Sequence, residues 1–184
     1  MIVNRKTCAL FSIILSFLLF AACRRSASTK DGGSDRDKPA NSYAFGETVA
    51  FAQQGNSDLF KVRGWGPCEG YFAWTNGYSA TLSFSLPEAK KPLELRMHLG
   101  AYTNSTIRYQ PVEVRVNDET VADWQVAADD ADYVAIVSPD IANHEQFIVE
   151  LRMPYATSPL IVGEGDDPRL LGVRCFELCI YETR

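Results

Sequence analysis

The sequence predicts an all-β fold, an antiparallel β-sandwich of jelly-roll type over residues 44–184, on three observations. Apolar and polar residues alternate with a period of two in one segment after another. Prolines and short turn sequences punctuate those segments at close intervals. No amphipathic helix longer than a turn or two is discernible. A period of two sends successive side chains to opposite faces of a strand, as a sheet with one buried and one wet face requires.

Each segment supports this in turn. "ATLSFSL" places Leu82, Phe84 and Leu86 on one face and small hydroxyls on the other. "PLELRMHLG" sets Leu93, Leu95, Met97 and Leu99 against Glu94, Arg96 and His98. "PVEVRVN" alternates Val112, Val114 and Val116 with Glu113 and Arg115, and Asn117-Asp118 reads as a tight hairpin turn into "TVADWQV". "EQFIVELRM" sets Phe147, Val149, Leu151 and Met153 against Glu150 and Arg152. Pro87, Pro92, Pro111, Pro139 and Pro154 fall at strand edges, where a missing N–H costs little. Such spacing, without an internal repeat, suits a jelly roll.

The N-terminus predicts a different kind of segment. Arg5 and Lys6 precede the apolar run "ALFSIILSFLLFAA", which has the length of a signal-peptide core and is short for a membrane span. Phe20-Ala21-Ala22-Cys23 resembles a bacterial lipobox, with Phe20 where leucine is usual. Residues 1–22 are therefore expected to be a lipoprotein signal peptide, and Cys23 the lipidation site. A diacylglyceryl group and an N-acyl chain of palmitate type would hold Cys23 on a membrane. Residues 23–43, rich in Ser, Gly, Asp, Lys and Pro, are expected to form a disordered tether reaching about 25 Å. The expected location is extracytoplasmic and lipid-anchored, on the outer membrane if the host is Gram-negative, as the Arg24 after the cysteine implies.

Charge narrows the partners. The 184-residue chain carries 18 basic and 23 acidic residues. Seven of the basic and three of the acidic ones precede residue 44, which leaves 11 and 20, a net of −9, on the predicted domain. Such a surface disfavours nucleic acid and flat docking on an anionic bilayer. Cys68, Cys175 and Cys179 remain beyond the lipid site. Cys175 and Cys179 lie four apart on one predicted strand, with Cα atoms about 13 Å apart. They are too far apart to pair. One of them pairing with Cys68 and three free thiols remain equal alternatives.

No catalytic signature is present: no G-x-S-x-G, H-E-x-x-H, P-loop or dinucleotide glycine pattern. The acidic runs Asp129-Asp130-x-Asp132 and Glu164-x-Asp166-Asp167 lack the spacing of a calcium loop and read as solvated turns, so neither metal nor cofactor is expected. The stretch with the most chemistry is "GWGPCEGYFAWTNG", residues 64–77, whose composition suits neither helix nor strand. It reads as a lead-in to "YSATLSFSL". Trp65, Tyr71, Phe72 and Trp74 with Glu69 supply rings to stack on sugar C–H faces and a carboxylate for hydroxyls. The alternative, which we favour, makes the Trp side chains a plug at the end of the sandwich, with Glu69 buried and clasped by Arg169 of "DDPRLLG" beside Asp167.

Gly55-Asn56, Gly64-Trp65, Glu69, Trp74, "VRVND" with Trp124, Ser158-Pro159, Asp167-Pro168-Arg169 and Leu171-Gly172 stand in an order that resembles a known domain. It is a bacterial extracytoplasmic β-sandwich often fused to polytopic membrane glycosyltransferases or other envelope-polysaccharide proteins. The likeness spans residues 50–181 and departs from that pattern at Gly66-Pro67-Cys68. It implies a non-catalytic accessory role near glycans, with a glycan or a membrane glycosyltransferase as partner. The alternative class is a structural or protein-interaction lipoprotein of the envelope; a glycosidase ranks lowest.

Overall fold

In a computed structural model, residues 39–184 are described; Cys23 and the expected signal peptide and tether, up to residue 38, lie outside the described residues. The fold is an all-β antiparallel sandwich of two sheets. One sheet contains β1 (Thr48–Ala50), β3 (Trp65–Glu69), β4 (Phe72–Asn76), β6 (Leu93–Ala101), β9 (Ala131–Val137) and β11 (Leu171–Glu182). Its order is β3-β4-β11-β6-β9, with β1 also paired to β11. The other contains β2 (Lys61–Arg63), β5 (Ser79–Phe84), β7 (Gln110–Val116), β8 (Glu119–Val126) and β10 (Phe147–Arg152), in the order β2-β5-β10-β7-β8. Two one-turn helices, α1 (Pro139–Ala142) and α2 (Pro159–Val162), sit in connections.

The alternating residues face each other across the core as their period requires. Leu82, Phe84, Leu95, Met97, Leu99, Val114, Val149, Leu151, Val173 and Ile180 are all buried there. Asn117 and Asp118 make the β7–β8 turn with φ of 47° and 68°, the left-handed pair that short polar residues tolerate between twisted strands. Pro111 stands within β7, beyond the end of its pairing with β10 at Arg152↔Glu113, where no N–H is needed.

Two expectations change. The sandwich takes in residues before 44, because Tyr43 belongs to the core. Its ring lies edge-on to Phe84 and Phe60 with centroids 5.6 and 6.1 Å apart, and its hydroxyl accepts from Ile180 N at 2.8 Å and donates to the Glu47 carbonyl. Burial pushes this phenol's pKa well above its ordinary value. Asn41 adds a bond to Gln146 at 2.8 Å, and Tyr43 N donates to Ser85 O at 3.0 Å. Composition alone hides this, since a single aromatic after a polar run carries no period.

The second change concerns β11. A β-bulge between Cys175 and Glu177 shifts its parity. Cys175, Leu178 and Ile180 face the core, while Phe176, Glu177 and Cys179 do not. Cys175 and Cys179, four apart on this one strand, therefore point opposite ways. All three cysteines are free thiols, and burial pushes the Cys175 thiol pKa up.

Candidate functional site

The stretch from Gly64 to Gly77 is itself a hairpin, not a loop leading to a strand. β3 and β4 pair through Trp65↔Thr75, Cys68↔Ala73 and Glu69↔Phe72, with a bulge between Trp65 and Cys68. Gly70 and Tyr71 make the two-residue turn, with Gly70 at φ 57° in the first central position that such a turn reserves for glycine. The composition fits because β3 is a sheet edge: Pro67 has no N–H to leave unpaired, and the bulge twists the edge away from further pairing. Gly64 is the corner at which the chain leaves the five-stranded sheet and enters the other. Its φ is 75°, and a Cβ there would lie 2.0 Å from the Ser79 carbonyl oxygen.

This geometry divides the aromatic side chains. Trp65 closes the side of the sandwich between the sheets: its ring lies 5.0 Å from Phe51, and its indole N–H donates to Thr81 O in β5 at 3.0 Å. Phe72 and Trp74 point outward from β4, edge-to-face at 5.9 Å. Tyr71, at the hairpin tip, is 82% exposed. Cys68 accepts from Lys61 Nζ at 3.0 Å, and Asp58 holds the same ammonium at 2.9 Å. That hydrogen bond and charge keep the Asp58 carboxyl below its ordinary pKa.

Glu69, Asp167 and Arg169 come together. Arg169 Nη1 lies 2.5 Å from Glu69 Oε1, across 100 residues of sequence. Its Nε and Nη2 grip Asp167 at 3.0 and 2.6 Å, and its backbone N–H donates to Asp167 Oδ1 at 2.9 Å. Glu69 is paired but 37% exposed by side chain, so the buried half of the expectation is corrected: the hairpin edge is open to water there. Two carboxylates raise the Arg169 pKa, and the guanidinium holds the Asp167 carboxyl below its ordinary 3.8. A depressed carboxyl stabilises the fold above its unfolded value and loses that contribution as pH falls through its folded value. Asp167→Asn should therefore flatten stability against pH below about pH 4, read by denaturant melts at stepped pH. An unchanged slope would remove the clasp as the cause.

The acidic turns are also engaged. Asp130 pairs with Arg174 at 2.7 Å, Asp132 with His98 at 2.8 Å and Arg96 at 3.6 Å, and Glu164 accepts from Ser105.

A groove of about 770 Å³ lies elsewhere, on the outer face of the five-stranded sheet. The trough forms because β5 turns only Ser79, Thr81 and Ser83 outward, while long side chains rise from β2, β10 and β7. Register sets two rows: Arg63, Thr81, Glu150 and Arg115 side by side, then Ser79, Arg152, Glu113 and Asp123. Glu150 accepts from Arg63 at 2.8 Å on one oxygen and from Arg152 at 2.9 Å on the other. Arg152 stands 4.0 Å from Glu113, which accepts from Thr120 at 2.7 Å. Glu150 is only 14% exposed by side chain, so it orients the two guanidinium groups from beneath and leaves their other N–H groups facing the groove. Tyr78, 61% exposed, and Pro154 form one wall, tied by Met153 N to Tyr78 O at 2.8 Å.

None of the side chains singled out in residues 64–77 lines this groove. The sequence signal that pointed to it was the run of small hydroxyls in "ATLSFSL" beside the charged faces of "PVEVRVN" and "EQFIVELRM". The pairing of the strands is what puts those charges in rows.

Among solved structures, the chain is similar to the CBM22-1 xylan-binding domain of Xyn10C from Paenibacillus barcinonensis. The TM-score is 0.50 at 13% identity, over 75% of this chain and 94% of that one. It is also similar to the CBM36-1 domain of a multidomain xylanase from the hindgut metagenome of Trinervitermes trinervoides. There the TM-score is 0.47 at 13% identity, over 75% and 98%. The likeness to the xylan-binding domain is one of fold. No protein-family model matches the sequence, and no curated protein does.

Proposed function

We propose that this chain is an extracytoplasmic lipoprotein, anchored through Cys23, whose non-catalytic sandwich binds glycan and assists envelope-polysaccharide or glycosyl-transfer machinery. The groove over the five-stranded sheet carries the reading. Sugar hydroxyls need fixed donors and acceptors at close spacing, and Arg63, Arg152, Glu113 and Asp123 offer both. Tyr78 supplies a ring for a sugar C–H face. Pre-setting of the two guanidinium groups by Glu150 lowers the ordering cost of binding. The same pairing argues against glycosidase chemistry, because both oxygens of Glu150 already accept from arginines. The sandwich likeness to a xylan-binding domain is consistent with this role.

The test is a broad glycan array probed with residues 39–184. The Arg63→Ala, Arg152→Ala double variant should weaken any captured glycan about tenfold or more, since hydrogen bonds to charged groups are lost. Trp74→Ala, on the other sheet, should leave that binding unchanged. An array without any bound glycan overturns the reading. A protein-interaction role would then stand on α2, where Leu160, Ile161 and Val162 are exposed in succession, Ile161 at 75%.

A further inference from the structure

On the opposite sheet a second concavity, of about 380 Å³, lies where β4 leaves the edge of β11 and β1 takes it over. Tyr71 forms one side, His98 and Asp132 the other, with Phe176 and Glu177 between them. The bulge makes this possible. A regular strand would turn one of Phe176 and Glu177 into the core, whereas the extra residue puts a ring and a carboxylate side by side on the outer face.

The chemistry of the lining is that of a cation receptor. Phe176 packs against His98 and Phe72, each with ring centroids 5.4 Å apart, which braces it against the sheet. Asp132 Oδ1 is 2.8 Å from His98 Nδ1, so the carboxylate is held in place. Glu177 is exposed and has no ion pair among the described residues. The same surface already holds one cation on its rings: the Arg174 guanidinium carbon lies 5.8 Å from the Trp74 centroid and 5.9 Å from that of Phe176. The nearby cations do not cancel the site. Arg174 is matched by Asp130 at 2.7 Å, and Arg96 lies 2.6 Å from Glu94 and 3.6 Å from Asp132; two guanidinium groups thus stand among four carboxylates, Glu177 being the one they leave unpaired, and the surplus charge is negative.

We propose that this pocket binds the ammonium group of a small organic cation, with the rings of Tyr71 and Phe176 facing the charge and Asp132 and Glu177 balancing it. The site is independent of the five-stranded groove, on the other sheet. An amino sugar and a choline-type headgroup both present this chemistry, and the experiment separates them.

The full chain is titrated calorimetrically at low salt with choline, glucosamine, and two neutral counterparts, 3,3-dimethylbutan-1-ol and N-acetylglucosamine. The charged member of at least one pair should bind about tenfold more tightly than its neutral counterpart. The pair that shows the difference identifies the source. Glu177→Gln and Tyr71→Ala, both at exposed positions that leave the core intact, should each weaken that binding about threefold to tenfold with unchanged circular dichroism. Equal binding of charged and neutral partners, saturation unaffected by both variants, or no saturation by either cation overturns the proposal.

Discussion

Replacing Tyr43 by Ala is expected to lower stability by about 3–5 kcal/mol, a large share of what a domain of this size possesses. The ring is 2% exposed and touches Phe60 and Phe84, so its removal opens a cavity between elements that have nothing else to fill it. Its hydroxyl leaves a second deficit, because Ile180 N–H then has no partner in a buried ladder. Tyr43→Phe separates the two effects and should cost about 1–2 kcal/mol. The same contacts predict how the domain tolerates trimming. A chain starting at residue 39 should melt in urea like the longer one. A chain starting at residue 44 should be strongly destabilised, for it also lacks the Asn41 bond to Gln146. Equal midpoints for the two would show that the first strand-like residues are dispensable.

The second large effect separates two tryptophans nine residues apart. Trp65→Ala should cost about 3 kcal/mol or more, because the ring seals the gap between β3 and β5 and its indole N–H satisfies the Thr81 carbonyl. Trp74→Ala should cost about 1 kcal/mol or less, since its ring lies on the outer face of β4 against Phe72 and under Arg174. Paired urea melts measure both. If Trp74 proved the more costly, the assignment of Trp65 as the seal and Trp74 as surface would be reversed. The distinction matters for binding work: loss of ligand capture in a Trp65 variant would report unfolding, and only Trp74 or Tyr71 tests a surface.

Much of the fold was legible because its signal is local. Alternation in "PLELRMHLG" or "EQFIVELRM" needs only the pleat of a single strand to be read. Asn117-Asp118 was legible for the same reason, as its backbone angles belong to two adjacent residues. The hairpin at residues 64–77 was not legible, because edge position is what makes Gly66 and Pro67 acceptable in a strand, and an edge exists only once the sheet is assembled. The clasp between Glu69 and Arg169 was within reach of chemistry alone: a carboxylate and a guanidinium on two conspicuous turns are natural partners. Its exposure was not, since burial depends on what packs over the pair.

The sequence by itself determined the all-β class, the inward and outward faces of most strands, the tight β7–β8 turn and the acidic character of the domain. Each follows from residue type and nearest neighbours. Tertiary structure alone decided the two candidate sites. The groove needs Arg63 beside Glu150 in one row and Arg152 beside Glu113 in the next, set by the register of β2, β5, β10 and β7, which come from distant parts of the chain. The ammonium pocket needs the bulge in β11 and the handover from β4 to β1. Register and bulges are settled by which strands pair, and pairing is a property of the whole core.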